Sequence, residues 1–441
     1  MKKRVLNTLL TLMFIAMLLP AIQQFSNFPR IKSLKGAITI PKKPKLSLQG
    51  YFDASLQDSM DTYVENTIGF RPILVRLHNQ IQYSLFDTVN AQGVIFGENG
   101  YLFELNYIKA FYGLNFVGFD KINTDIIETR FVNDWLLRQE KHLIVVLAPG
   151  KGTFFKDQIP DSYKPDSIHI TNNKVYIDSL SKYQIPIIDG NSYFEKIKDT
   201  SQFALFPKSG IHWSYYGMGL IFDSLLQKME IDGGKKFIDF GIKNIEVSKK
   251  LRSPDQDLWE GMNVFAQPSD YAMPYPKFYF ENPVKENMPK VIVVADSYYW
   301  QWFGSGYATR SFHSHDFWYY NTQIYPGNGG EAIQRHNVDI ISRVMETDFV
   351  ILLQTDANMD RYSFGFIHDL YLAIQKLDAM STEDLLAIEK IIAGIKASPD
   401  YMKTIEKKAA QRHISVEEML RGDAMWVFQN KKKSIPDKNK K

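Results

Sequence analysis

The sequence predicts an α/β protein built on a parallel sheet, and three observations carry that prediction. Leu143-Ile144-Val145-Val146-Leu147, Val291-Ile292-Val293-Val294-Ala295 and Phe349-Val350-Ile351-Leu352-Leu353 are short apolar runs with no polar alternation. Such runs suit strands covered on both faces. A helical spacing around Asn123 to Gln139 precedes the first run, and others over Asn173 to Tyr183 and Tyr215 to Met229 follow it, and strands alternating with helices call for parallel connections. With 441 residues, 45% of them hydrophobic, the chain can bury a large core and carry additions.

The remaining elements follow in order. Lys2-Lys3-Arg4 precede an apolar stretch from Val5 to Ile22, about long enough to cross a bilayer with its positive end in the cytoplasm. No clear A-x-A cleavage site follows it, so residues 1–24 read as an uncleaved signal anchor or transmembrane helix. A cleaved signal peptide and a buried core helix are the alternatives. Residues 25–50, with Pro41-Lys42-Lys43-Pro44-Lys45, read as an extended linker. Tyr51 to Phe86 has helical spacing broken at Phe70-Arg71-Pro72. Gly93 to Phe103 reads as a hairpin around Asn99-Gly100. Ile185-Pro186-Ile187-Ile188-Asp189 is a further strand, and the α/β domain is expected to span 51–376. A helical extension over 377–430 opens on capping boxes at Ser381 to Asp384 and Ser415 to Glu418. A basic tail, 431–441, is expected to be disordered.

Composition narrows the function. The net charge of +3 conceals a basic start and a basic tail, which leave the body about −5; an acidic body does not suggest nucleic-acid binding. There are no cysteines, which excludes disulfides, thiolate metal sites and cysteine catalysis. Either export reading of the N-terminus puts the body outside the cytoplasmic membrane.

The chemistry points to Ser297, which ends the Val291 strand in Ala295-Asp296-Ser297, and to His212 in Gly210-Ile211-His212-Trp213-Ser214. Ligands of open α/β sheets bind beyond the carboxyl ends of the strands, and a serine nucleophile needs a base within reach. The plain alternatives are a serine that caps a helix and a histidine satisfied within the core. Ala148-Pro149-Gly150-Lys151-Gly152-Thr153 lacks the spacing of a phosphate loop, and Lys151 reads as a structural or substrate-facing residue. His313-Ser314-His315-Asp316 could hold a metal, but Phe312, Phe317 and Trp318 favour a packed surface loop. Neither HExxH nor G-x-S-x-G occurs. No metal and no cofactor is expected.

Ala295-Asp296-Ser297 resembles the Gly-Asp-Ser block of the SGNH hydrolase superfamily, with alanine in place of glycine. Gly210-Ile211-His212-Trp213-Ser214 resembles the Asp-x-His-Trp-[Thr/Ser] block of alginate O-acetyltransferase proteins of the AlgX/AlgJ type, in which the histidine block precedes the serine, as it does here. Phe70-Arg71, Gly97-x-x-Gly100-Tyr101-Leu102-Phe103 and Ala148-Pro149-x-Lys151 also resemble that family, and the likeness runs from about Tyr51 to Ile367. It implies an SGNH-like three-layer domain and an O-acetyltransferase. Ser297 would carry the acetyl group and His212 would act as base. The acceptor would be an exported cell-envelope polysaccharide, in the periplasm, and an integral-membrane O-acyltransferase would supply acetyl groups. Gly210 stands where the family has its aspartate. Asp189 and Asp356, near strand ends, are the candidates to orient the imidazole instead, ahead of Asp296. Asn358 is a candidate oxyanion donor. A polysaccharide acetyl esterase and a non-catalytic binding or assembly protein are the alternative functions.

Overall fold

A computed structural model describes residues 2–36, 40–86, 88, 91–266, 268 and 270–433. The tail from 434 lies outside the described residues. The chain forms two compact units. One comprises residues 1–105, 207–211 and 250–271, and the other 106–206, 212–249 and 272–441. The segment from 51 to 105 groups with the N-terminus in the first unit.

In the first unit, the helix Lys2–Ser26 contains the stretch Arg4–Ser26, long and apolar enough to cross a membrane. The described residues that follow form no helix or strand up to Ser47, and several of them are tied down by hydrogen bonds. Arg76 donates to the carbonyls of Lys32 (2.8 Å) and Ser33 (2.7 Å), and Asn263 bonds both backbone groups of Lys35. The helices Ser55–Thr67 and Arg71–Phe86 flank the expected break. β1 (Val94–Phe96) and β2 (Leu102–Glu104) form the expected hairpin, with Asn99 and Gly100 at positive φ in its turn.

The second unit holds the sheet. Its strands are β3 (His142–Ala148), β4 (Ile187–Asp189), β7 (Lys290–Ala295), β8 (Ser314–Tyr319), β9 (Gln323–Pro326), β10 (Ile333–Gln334) and β11 (Phe349–Thr355). The order is β10-β9-β8-β7-β11-β3-β4, parallel from β8 to β4 and antiparallel at β9 and β10. β5 (Asp239–Ser248) and β6 (Met273–Glu281) form a separate antiparallel ribbon.

Period-2 geometry explains the apolar runs. Leu143, Val145, Leu147, Val350 and Leu352 face one core with Ile122, Val132, Leu136, Phe366 and Leu370 from the helices Phe119–Arg138 and Phe366–Asp378. Their neighbours Ile144, Val146, Ile351 and Leu353 are equally buried on the opposite face, where the helix Tyr215–Gly233 packs on β3 and β4. The sheet is thus covered on both sides.

Sequence reasoning missed β8 and placed its start in a surface loop. Phe317 and Trp318 are fully buried as adjacent residues of a strand. Two neighbouring aromatics flanked by His-Ser-His-Asp show no strand periodicity, so pairing with β7 and β9 defines the element. The C-terminal helices Thr382–Lys396, Pro399–Arg412 and Val416–Lys433 enclose a small core of their own, including Ile392, Ile395, Ile405 and Leu420. Ser381 and Asp384 form a complete capping box. The second box is half made: Ser415 caps the Glu418 N–H, while the Glu418 carboxylate turns to Arg343.

Candidate functional site

In a parallel sheet all carboxyl ends lie on one side. Ser297 follows β7, Asp356 follows β11, Pro149 to Lys151 follow β3 and Tyr320 follows β8, so these residues collect at one edge. β11 sits between β3 and β7, where successive connections leave in opposite directions, and that is where open α/β sheets place their crevice.

The structure brings Ser297 and His212 together. The Ser297 Oγ lies 3.0 Å from His212 Nε2 across 85 residues of sequence, within the reach a general base requires. Both residues are half-buried. Local chemistry explains how each is held. Ser214 is the N-cap of the helix Tyr215–Gly233; its Oγ accepts from the Gly217 N–H (2.9 Å) and donates to the Ala204 carbonyl (2.7 Å). Trp213 is fully buried and stacks on Trp302, at 5.3 Å between ring centres. The side-chain amide of Gln301 donates to the Trp213 carbonyl (3.3 Å). His212 is thereby fixed between a capped helix and a buried anchor, with its ring 4.8 Å from that of Tyr298.

Asp296 holds the nucleophile turn. It is fully buried and accepts four hydrogen bonds. Oδ1 takes the Tyr298 N–H (3.1 Å), and Oδ2 takes the N–H and hydroxyl of Thr355 (both 2.9 Å) and the Asn358 side-chain amide (3.0 Å). A buried carboxylate with four donors is satisfied, and it joins the end of β7 to the end of β11.

The other sequence candidates sit elsewhere. Asp189 is the N-cap of the helix Gly190–Ile197, and both of its oxygens are engaged by Ser192. It therefore does not orient His212. Asp356 is buried against the end of β3. Its Oδ2 accepts from the Thr153 hydroxyl (2.7 Å), and a Cβ placed on Gly150 would fall 1.9 Å from Oδ1. It makes no hydrogen bond to His212 among the described residues. Burial pushes the Asp356 carboxyl up to about 6, with the charge of Asp296 adding to the rise. Asn358 directs its amide nitrogen at Asp296 and Thr355, so its N–H groups are taken and it is not the oxyanion donor. Lys151 is fully buried just after β3, at the start of the short helix Lys151–Phe154, where a Cβ on Gly152 would meet the Tyr107 carbonyl at 2.4 Å.

Gly210, the residue at the family's aspartate position, lies in the first unit. An added Cβ would fall 2.5 Å from the Pro254 carbonyl oxygen and 2.8 Å from the Asp255 carbonyl carbon. The close approach of backbone leaves room for glycine alone. His315, the second residue of β8, is buried and bonded to the Thr309 hydroxyl (3.2 Å), and burial lowers its basicity to about 4. No group of three metal-ligating side chains occurs among the described residues.

Tyr320 is the residue that sequence reasoning missed. It occupies the turn between β8 and β9 with φ 48°, and Asn321 follows at 52°. Left-handed backbone is costly for a bulky side chain and needs support. The Tyr320 N–H donates to the Ala295 carbonyl (2.9 Å), and Asn321 is bonded to the Phe364 carbonyl, Asp369 and Arg335. The turn thus sets the tyrosine beside the end of β7, close enough for Ser297 to influence the phenol. Burial and the Asp296 charge push that hydroxyl up to about 12, so it keeps its proton at neutral pH. The Arg361 guanidinium covers its ring at 5.4 Å and donates to Asn358 Oδ1 (2.8 Å). The one signal in the sequence is Asn321, a turn-favouring residue after an aromatic run.

No protein-family model and no curated protein matches the chain. Among solved structures it is similar to the O-acetyltransferase domain of Pseudomonas putida AlgJ, at 13% identity and a TM-score of 0.38, covering 63% of this chain and 99% of that one. Bacillus cereus PatB1 matches at 12% identity and 0.39, with 62% and 99% covered. Pseudomonas aeruginosa AlgX matches at 12% identity and 0.41, with 63% and 67% covered.

Proposed function

We propose that this protein is an O-acyltransferase that moves acetyl groups onto hydroxyls of an exported polysaccharide through an acetyl-Ser297 intermediate. The observation that carries the reading is the 3.0 Å contact between Ser297 Oγ and His212 Nε2 at the carboxyl edge of the sheet. His212 takes the Ser297 proton as the oxygen attacks the acetyl carbonyl of the donor ester, and returns it to the departing alcohol. The acceptor hydroxyl then loses its proton to His212 and attacks the acetyl-serine carbonyl, and His212 passes that proton to the departing Ser297 oxygen. The Ser297 N–H and the Tyr320 hydroxyl are the donors assigned to the oxyanion, the latter replacing Asn358 in that role. The helix Lys2–Ser26 is assigned as the membrane anchor, with the catalytic body in the periplasm. The donor is assigned as an integral-membrane O-acyltransferase partner that carries acetyl groups across the bilayer.

The test is mass spectrometry of the purified protein after incubation with p-nitrophenyl acetate. An acetyl adduct on the Ser297 peptide is expected, absent from Ser297→Ala and faster to discharge when an oligosaccharide acceptor is added. An unmodified Ser297 under these conditions would remove the enzyme reading. Discharge at the same rate with and without acceptor, yielding acetate alone, would assign an esterase.

A further inference from the structure

Four aromatic residues follow Ser297 closely in the sequence, and burial separates them. Tyr298, Tyr299 and Trp302 are at most 1% exposed, whereas Trp300 is half-buried. Trp300 belongs to the nucleophile turn, because its N–H donates to the Ser297 carbonyl (3.2 Å). Its ring centre lies 4.8 Å from that of Tyr325 and 5.6 Å from that of Tyr319. Tyr319 stands opposite Ala295 in the pairing of β8 with β7. The Tyr319 ring lies 4.6 Å from that of Tyr320, whose N–H donates to the Ala295 carbonyl (2.9 Å). The Tyr320 ring in turn lies 4.8 Å from that of Phe364. All five rings are half-buried. They form one strip that begins on β9, crosses the end of β8 next to that of β7, and finishes on the loop after β11.

Core packing by itself does not account for the strip. Tyr320 and Phe364 have left-handed backbone, at φ 48° and 52°, which is costly for a bulky side chain. Each has a strained neighbour, Asn321 at 52° and Ser363 at 51°. The fully buried Phe317 and Trp318, by contrast, pack within an ordinary strand. Dedicated hydrogen bonds hold the strained pairs. The Asn321 amide nitrogen donates to the Phe364 carbonyl (3.3 Å), which joins the two loops. The buried Gln354 accepts from the Ser363 N–H (2.9 Å) and donates to the carbonyls of Asn358 (2.6 Å) and Arg361 (2.9 Å). Strained backbone that its surroundings over-determine clusters at ligand clamps. Here it keeps two aromatic rings at the edge of the sheet that carries the nucleophile.

We propose that this strip is the acceptor subsite and that it holds a saccharide chain by stacking sugar rings on Trp300, Tyr319 and Tyr325. The proposal rests on the acetyl-Ser297 reading above. A pyranose has an apolar face of C–H groups and a rim of hydroxyls. An aromatic surface covers the face and leaves the rim free to present one hydroxyl to the reaction. Steps of 4.6 to 5.6 Å between successive rings make the strip longer than a single sugar, so it suits a chain. The Arg361 guanidinium closes one end, 5.4 Å over the Tyr320 ring and 5.8 Å over the Phe364 ring, and supplies donors for sugar hydroxyls.

The test uses detergent-solubilised full-length Ser297→Ala protein, titrated calorimetrically with cellohexaose and, separately, with maltohexaose. Saturable binding of at least one is expected. Added to that protein, Trp300→Leu and Tyr325→Leu should each weaken it about tenfold, the loss of one stacked ring. Tyr325→Phe keeps the ring and loses only the hydroxyl bonded to Gln323 (2.7 Å), so it should bind within about threefold of the parent. Melting temperatures check that the variants fold, and Tyr325, on the edge strand pair, is the milder site. With Ser297 intact, Tyr325→Leu should raise KM for the saccharide acceptor about tenfold and leave acetyl-Ser297 formation from p-nitrophenyl acetate unchanged. No saccharide binding, unaltered affinity in a folded leucine variant, or a loss in Tyr325→Phe equal to that in Tyr325→Leu would each overturn the proposal. An acetyl adduct on Ser297 with unaltered leucine variants removes the strip and keeps the enzyme. Ring-dependent saccharide binding without an adduct keeps the strip as a saccharide site and removes the transferase.

Discussion

Asp356 offers a quantitative test of how the carboxyl edge of the sheet is built. Its carboxyl is buried beside Gly150 with one hydroxyl donor, Thr153, at 2.7 Å. Burial raises it from an ordinary value of 3.8 to about 6. The sign follows from linkage. Below about 4 the group is protonated in folded and unfolded chains alike, and the fold carries no penalty. As pH rises to 6 the unfolded chain releases the proton while the folded chain retains it, and stability falls. Above 6 the folded state holds a desolvated carboxylate, and the loss levels off at roughly 3 kcal/mol, from about 1.4 kcal/mol for each pH unit between the two values. Asp356→Asn keeps the shape and an oxygen for Thr153 but cannot ionise. Urea unfolding of wild type and variant, measured from pH 4 to 8, should give equal stabilities near pH 4 and a variant more stable by roughly 3 kcal/mol at pH 8. A difference independent of pH would refute the reasoning, because it would mean that Asp356 does not change charge in that window. Because every other titrating group is common to the two proteins, it cancels in the comparison.

Three further outcomes are expected. Gly210→Asp, which restores the family residue, should not activate the protein. Its Cβ would lie 2.5 Å from the Pro254 carbonyl oxygen, and overpacking of this kind costs about 1–3 kcal/mol; Gly210→Ala should lose as much in thermal denaturation, and a stable, more active Asp variant would contradict the steric account. Tyr320→Phe should slow acetyl-Ser297 formation about 10²-fold, the cost of one oxyanion donor, with little change in KM for the ester; stopped-flow nitrophenolate release measures both, and an unchanged rate would remove Tyr320 from the mechanism. Deleting residues 1–26 should move the protein from the membrane fraction to the soluble fraction, since the helix Lys2–Ser26 carries the apolar span; full-length protein in the soluble fraction would dismiss the anchor.

The residues differ in how much of their role was legible beforehand. β3, β7 and β11 were readable because burial on both faces writes a continuous apolar run into a few consecutive residues. Helix starts were readable where a cap is local, as at Ser381 and Asp384. Ser297 and His212 could be nominated from motif blocks, but their meeting at 3.0 Å depends on β7 and the capped helix after Ser214 being folded together. β8 escaped because its aromatics do not alternate, and Tyr320 escaped because a left-handed tyrosine has no local sequence rule. The acids expected to orient the histidine failed for an instructive reason. Asp189 and Asp356 do sit at or just after strand ends, as predicted, yet each faces a partner that position alone does not specify: a helix N-terminus, and the glycine just after the neighbouring strand; Asn358, expected as an oxyanion donor, likewise turns to Asp296. Hydrophobic periodicity acts between residues a few positions apart, so the sequence by itself determined the layered fold and the pair worth testing. Hydrogen-bond partners are chosen across the ends of strands that are distant in sequence, at distances known only once the sheet is assembled. For that reason the tertiary structure alone decided which carboxylate braces the nucleophile, which side chain faces it, and why position 210 admits only glycine.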